Sequence, residues 1–225
     1  IKARKELDLN SEMEKLKKEG ISVLTIKDKK YPKLLKEIYN PPFILYYKGE
    51  LLEDDDFAFA IVGARKSTDY GRQVTKDLAT GLALNKITVV SGLAVGIDGI
   101  AHGAALTVPG GRTIGVLGCG LDEATIYPAE NRALARQIID GRGAIISEYP
   151  IGTPPLKQNF PARNRIISGL SLGVLVVEAT EVSGSLITAQ FALEQGRDVF
   201  AVPGSIYNKN ASGPNVLIKK GAKLV

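Results

Sequence analysis

The stretch KQNFPARNRIISG, Lys157 to Gly169, sets Lys157, Phe160, Arg163, Asn164 and Arg165 close together, and from Tyr149 to Val177 there is no Asp or Glu. Cations placed without a neighbouring acid imply an external anion. The alternative is internal: Arg163 and Arg165 pair with Glu148 or Glu178, which flank the acid-free stretch. Other side chains with chemistry to offer are few. His102 and Cys119 are the only histidine and the only cysteine, which excludes an internal disulfide and a Cys/His zinc cluster. His102, beside Ala101, Ala104 and Ala105, reads as a packed helix residue, and Cys119, behind an apolar run, as a small core group. Asp98 and Asp122 suit ribose contacts, catalysis, helix caps or loop hydrogen bonds. Glu178 is the best candidate carboxylate for an enzyme.

The elements that must carry these groups follow from the apolar runs. FAFAIV (57–62), ITVVS (87–91), TIGVLG (113–118), GAIIS (143–147), GVLVVEA (173–179) and DVFAVPG (198–204) are short and rich in Val and Ile. Such runs read as strands buried on both faces, hence parallel. Between them, DYGRQVTKDLATGLALN repeats Tyr70, Val74, Leu78 and Leu82 every fourth residue, as an amphipathic helix requires. Repeated strand and helix predict an α/β fold, a doubly wound, mostly parallel, Rossmann-like sheet over residues 57–225. Residues 1–56 read as a small N-terminal extension, with a basic helix near 11–19 and an irregular, strand-bearing segment over 31–49. The acidic run EDDD at 53–56 is the expected seam.

In such a sheet, ligands gather just past the carboxyl ends of the strands. Arg65 and Lys66 stand in GARKSTDYG, Ser91, Gly92 and Gly96 in SGLAVGIDGIAHGAA, and Ser183, Gly184 and Ser185 in EATEVSGSLITA. Each loop opens a helix, whose N-terminal N–H groups favour an anion. Glycine there also serves a plain tight turn. GCGLDE fails the GxGxxG dinucleotide pattern at its last position, and no GxxxxGK[ST] occurs, which argues against dinucleotide and P-loop cofactors. No cofactor and no metal is expected.

The net charge of +5 is unevenly spread: residues 1–40 hold 11 Lys/Arg against 7 Asp/Glu, and the remainder 18 against 17. Any anion site in the main domain must therefore come from local placement, not from a general basic field. No run approaches a membrane span, and no signal-peptide pattern opens the chain, so the expected location is the cytoplasm. The chain begins at Ile1 without an initiator methionine and is expected to be part of something longer.

The series IVGARKSTDYG, SGLAVGIDGIAH, GCGLDEATIYPAEN, SEYPIGTPP, FPARNRIISGLS, VVEATEVSGSLITAQFALEQGRDVFAVPG and GPNVLIKKGA resembles the DNA processing protein A family, DprA or Smf, across residues 31–225. The resemblance implies an extended Rossmann fold that binds single-stranded DNA in a pocket at the sheet edge, forms a homodimer and helps load the RecA recombinase during natural transformation, without catalysis. It places Arg65, Lys157 and Phe160 in the DNA pocket, and Asn215, Ile218 and Leu224 in a self-association segment. Longer members carry further terminal domains, of which this chain is expected to hold at most the tail of the first. The residue chemistry agrees: lysine neutralises phosphate, a planar ring stacks any base, and arginines with loop amides hold the backbone. Two alternatives are a nucleoside-monophosphate hydrolase of related fold, whose PGGxGTxxE motif the strings at 109–111 and 203–205 do not continue, and a small-nucleotide sensor.

Overall fold

The computed structural model describes residues 8–141 and 143–225; the first seven residues of the expected N-terminal extension lie outside the described residues. Among the described residues the strands are β1 (Ser22–Thr25), β2 (Ile44–Gly49), β3 (Ala58–Val62), β4 (Thr88–Ser91), β5 (Thr113–Leu117), β6 (Ala144–Ser147), β7 (Gly173–Val176), β8 (Asp198–Ala201) and β9 (Lys223–Leu224). The helices are α1 (Leu9–Lys18), α2 (Lys33–Lys36), α3 (Asp69–Leu84), α4 (Ile97–Leu106), α5 (Arg132–Asp140), α6 (Asn159–Gly169), α7 (Gly184–Glu194) and α8 (Ser212–Lys219). The strands form one sheet in the order β1-β2-β6-β5-β4-β3-β7-β8-β9. All pairings from β6 to β9 in that order are parallel, while β1 with β2 and β2 with β6 are antiparallel. The six Val/Ile runs are the six central strands, and the order reverses between β3 and β7.

Alternation along the strands divides the core into two layers. Ala60, Val62, Val90, Val116 and Val176 pack with Ile166, Ile167 and Leu170 of α6 and with Ala189 and Ala192 of α7. Ile61, Val89, Leu175 and Val177 turn the other way, onto α3 and α4. The extension joins the first layer through Leu24, Tyr31, Leu35, Ile38 and Leu45. The acidic run behaves as a clasp: Asp55 accepts Arg112 at 2.8 and 3.0 Å and Thr88 Oγ1 at 2.9 Å, and Asp56 pairs with Lys33 at 2.7 Å.

Helix α3 departs from its expected stripe by one residue. Its buried positions are Gly71, Thr75, Ala79 and Ala83, whereas Val74, Leu78 and Leu82 are only partly covered and Tyr70 is exposed. Small residues win the interface because they let α3 approach Ala101, Ala104 and Ala105 of α4 closely, and the larger leucines fill the flank.

Candidate nucleic-acid interface

A cleft of about 840 Å³ opens at the carboxyl ends of β3 and β7, where the strand order reverses. Gly63, Ala64, Arg65 and Lys66 form one wall, and Thr180, Ser183, Gly184 and Ser185 the other. Lys157, Phe160, Arg163 and Asn164 line the α6 side, joined by Tyr127 from the loop after β5. Helix α6 does the positioning. It begins at Asn159, so Phe160 and Pro161 lie in its first turn, where proline is tolerated, while Ile166, Ile167 and Leu170 anchor its far side in the core.

Charge and ring are offered in different ways around this cleft. Arg65, Lys66 and Lys157 are exposed, and among the described residues none of the three forms an ion pair. Asn210 Nδ2 donates to the Lys66 carbonyl at 2.8 Å and so fixes the wall that carries both Arg65 and Lys66. Phe160 is half-buried, its ring centroid 5.7 Å from that of Tyr127 at 52°. Tyr127 is 43% exposed, and the two rings make one continuous aromatic surface at the mouth of the site. Sequence reasoning passed over Tyr127; its only signal was a lone aromatic in the loop after the TIGVLG strand.

Several expected contacts have other partners. Arg163 is 5% exposed; Nη1 donates to the carbonyls of Gly92, at 2.8 Å, and Val116, and Nε to Asn164 Oδ1 at 3.3 Å. Burial pulls its pKa down to about 10, and Asp98 works against that shift. It is thus the floor of the cleft rather than a free hand. Arg165 does not reach the cleft: it forms a two-pronged pair with Glu148 at 2.6 Å and donates to the Asn40 carbonyl at 3.0 Å. The internal pairing considered for the arginines holds for this one, with Glu148 as its partner. Asn164 is buried and donates to the Gly184 carbonyl at 3.1 Å, tying α6 to the start of α7.

Ser91 is fully buried and donates its hydroxyl to the Ile61 carbonyl at 2.6 Å, away from solvent. Gly92 is buried at the floor, and Gly96, at φ +83°, lets the β3 loop cross over it: a Cβ there would lie 2.4 Å from the Ala64 carbonyl oxygen. Ser183 receives the Thr180 amide at 2.9 Å, whereas the buried Ser185 hydroxyl, which lines the cleft, has no partner. Asp98 is 7% exposed and accepts the Gly92 amide at 3.1 Å. Burial pushes its carboxyl above the ordinary value, opposed by Arg163 and by the Ala94, Gly92 and Gly63 amides. Glu178 caps α3 by accepting both the amide and the hydroxyl of Thr68, so the carboxylate an enzyme reading would need is committed to the fold. His102 Nδ1 meets Thr113 Oγ1 at 2.6 Å, and burial lowers its pKa to about 3. Asp122 accepts the Gly152 amide at 2.7 Å. Among the described residues no group of three or more His, Cys, Asp or Glu could hold a metal ion, and no helix is long and apolar enough to cross a membrane.

Comparison with known proteins places the chain in a family. The family model for DNA recombination-mediator protein A matches residues 22–225. The chain is 48% identical over 210 residues to the DNA processing protein DprA of Bacillus subtilis, covering 93% of this chain and 69% of that protein. It is 51% identical over 195 residues to the protein Smf of Escherichia coli, covering 87% of this chain but about half of that one, 51%. Among solved structures it resembles DprA from Streptococcus pneumoniae, with a TM-score of 0.84 and 46% identity over 95% of this chain and 74% of that one. The DNA processing protein A of Helicobacter pylori, described for its single-stranded DNA binding mode, superposes with a TM-score of 0.80 at 35% identity over 91% of this chain and 90% of that one. With the family model spanning nearly all of the sheet and both relatives close to half identical, the chain belongs to the DNA recombination-mediator protein A family.

Proposed function

We propose that the chain binds single-stranded DNA in the cleft between β3 and β7, holds it without chemical change and presents it to the RecA recombinase in the cytoplasm during DNA uptake. The observation that carries this reading is the joined Tyr127–Phe160 surface beside the unpaired cations Arg65, Lys66 and Lys157. A ring can stack only a base whose face is free, which in a duplex is covered by its neighbours. Cations alone would accept any polyanion, so the rings supply the preference for single strands. The test is anisotropy with a labelled oligonucleotide, single-stranded and duplex, at two salt concentrations, with a mononucleotide as competitor. Single-stranded DNA is expected to bind much more tightly than duplex or mononucleotide, and neither DNA nor nucleotide should be turned over with Mg²⁺. Equal affinity for duplex, or turnover abolished by Glu178→Gln, overturns the reading.

The same proposal includes a two-fold homodimer through residues 215–225. Leu224 is 63% exposed on β9, whose outer edge has no neighbouring strand among the described residues, and Ile218 is only partly covered. Exposed apolar groups on an open strand edge invite a second copy. Asn215 is tied within its own chain, exchanging two hydrogen bonds with Gly204 at 2.9 and 3.2 Å, and so shapes the segment rather than pointing outward. Ile218→Arg is expected to give a monomer that binds DNA more weakly; sedimentation showing a wild-type monomer at tens of micromolar contradicts the dimer.

A further inference from the structure

The carboxyl ends of β3 and β4 have the form with which doubly wound sheets hold phosphate: glycine-bearing loops and backbone N–H groups converging at the start of a helix, here α4. In this chain the point of convergence is already occupied. Asp98, from the first turn of α4, accepts the Gly92 amide at 3.1 Å, and the Ala94 and Gly63 amides act on the same carboxyl. The Arg163 guanidinium faces it across Gly92, where a Cβ would lie 2.7 Å from both Arg163 Nη2 and Asp98 Oδ2. Both side chains are more than nine-tenths buried. Beside them, between Arg65, Gly92, Tyr127, Phe160 and Arg163, the cavity is small, about 30 Å³ against about 840 Å³ for the main cleft.

We infer that Asp98 is a built-in anion that fills the phosphate socket at the ends of β3 and β4, excluding free phosphate and nucleotide phosphates from it and leaving only the outer walls of the cleft for nucleic acid. The last clause rests on the proposed function; the socket itself does not. Around Asp98 stand three backbone amides and, facing it without a direct hydrogen bond, one guanidinium, the kind of set that would hold a phosphate oxygen. A tethered carboxylate occupies them without the translational cost a free ligand bears. A dianion brought beside it would meet a buried like charge.

Emptying the socket should therefore make the fold responsive to small anions. Asp98→Ala and Asp98→Ser are compared with the wild type by thermal unfolding in sodium formate, sodium phosphate or sodium chloride at matched ionic strength. Both variants are expected to melt lower than the wild type in chloride. Formate or phosphate at 100-fold excess over its dissociation constant should raise them by roughly 5–10 °C, with the wild type moving little. Variants that respond no more than the wild type overturn the inference. If Asp98→Ala does not fold in chloride, Asp98→Ser, which can still accept the Gly92 amide, decides alone. No DNA enters this measurement, so its failure and the failure of single-stranded DNA binding are distinguished.

Discussion

Arg163→Ala is expected to lower folding stability by about 3–5 kcal/mol, because it leaves buried acceptors without their donor and takes from the buried Asp98 the opposite charge that faces it, which for a chain of this size is a fall of about 6–20 °C in melting temperature. The guanidinium donates to the Gly92 and Val116 carbonyls and to Asn164, and it faces the Asp98 carboxyl, so its removal strands acceptors on the loop after β4, on β5 and on α6, and a buried carboxylate, at once. Although burial brings its pKa down to about 10, it remains charged at neutral pH, and Asp98 depends on that charge. Arg163→Lys should not restore the loss, because a single ammonium cannot reproduce the fork that reaches several acceptors. Calorimetry settles the matter. A variant that melts with the wild type but binds DNA with a flatter salt dependence would return Arg163 to the role of a phosphate contact.

The contrast between Arg163 and Arg165 shows where sequence reasoning stops. Two residues apart on a helix of 3.6 residues per turn, the two side chains diverge by about 200°, so the basic string RNR cannot present both arginines to one ligand. Which one turns inward depends on the sheet beneath. Glu148, the partner of Arg165, lies one residue outside the acid-free stretch, close in the fold though seventeen positions away along the chain. The six central strands were legible because burial on both faces leaves an uninterrupted Val/Ile signature. The α3 stripe was displaced by one residue because hydrophobicity marks the large side chains, while close helix contact selects the small ones. Glycine-rich loops announced an anion socket, but nothing in their spacing tells that Asp98 of the same chain turns back into it. Tyr127 was hidden for a related reason: its pairing with Phe160 joins the loop after β5 to the start of α6, a contact that only the folded sheet creates.

Phe160→Ala is expected to weaken single-stranded DNA binding by about 1–3 kcal/mol, or roughly 5- to 150-fold, with little dependence on salt or base identity. Lys157→Ala, at the same mouth, is expected instead to flatten the slope of log affinity against log salt by about 0.7, an effect that fades at high salt. The difference follows from the physics of each group. Lysine acts by displacing condensed counterions, and salt competes with it directly; a stacked ring excludes water from a base face, and salt barely touches that. Phe160 has an exposed face for this work, since it is half-buried, with Tyr127 against part of its ring and Gly118 behind it, where a Cβ would lie 3.2 Å from the ring edge. Ile166, six residues further along α6 and so on a different face of the helix, is fully buried, so the two share a helix but not an environment. Melting temperature therefore separates ligand stacking from core packing: a Phe160→Ala protein that melts many degrees lower yet binds normally when folded removes the stacking role. Tyr127→Ala should share the loss, and because the rings touch, the double variant should lose less than the sum of the two single ones. Strict additivity would mean that each ring meets the strand alone.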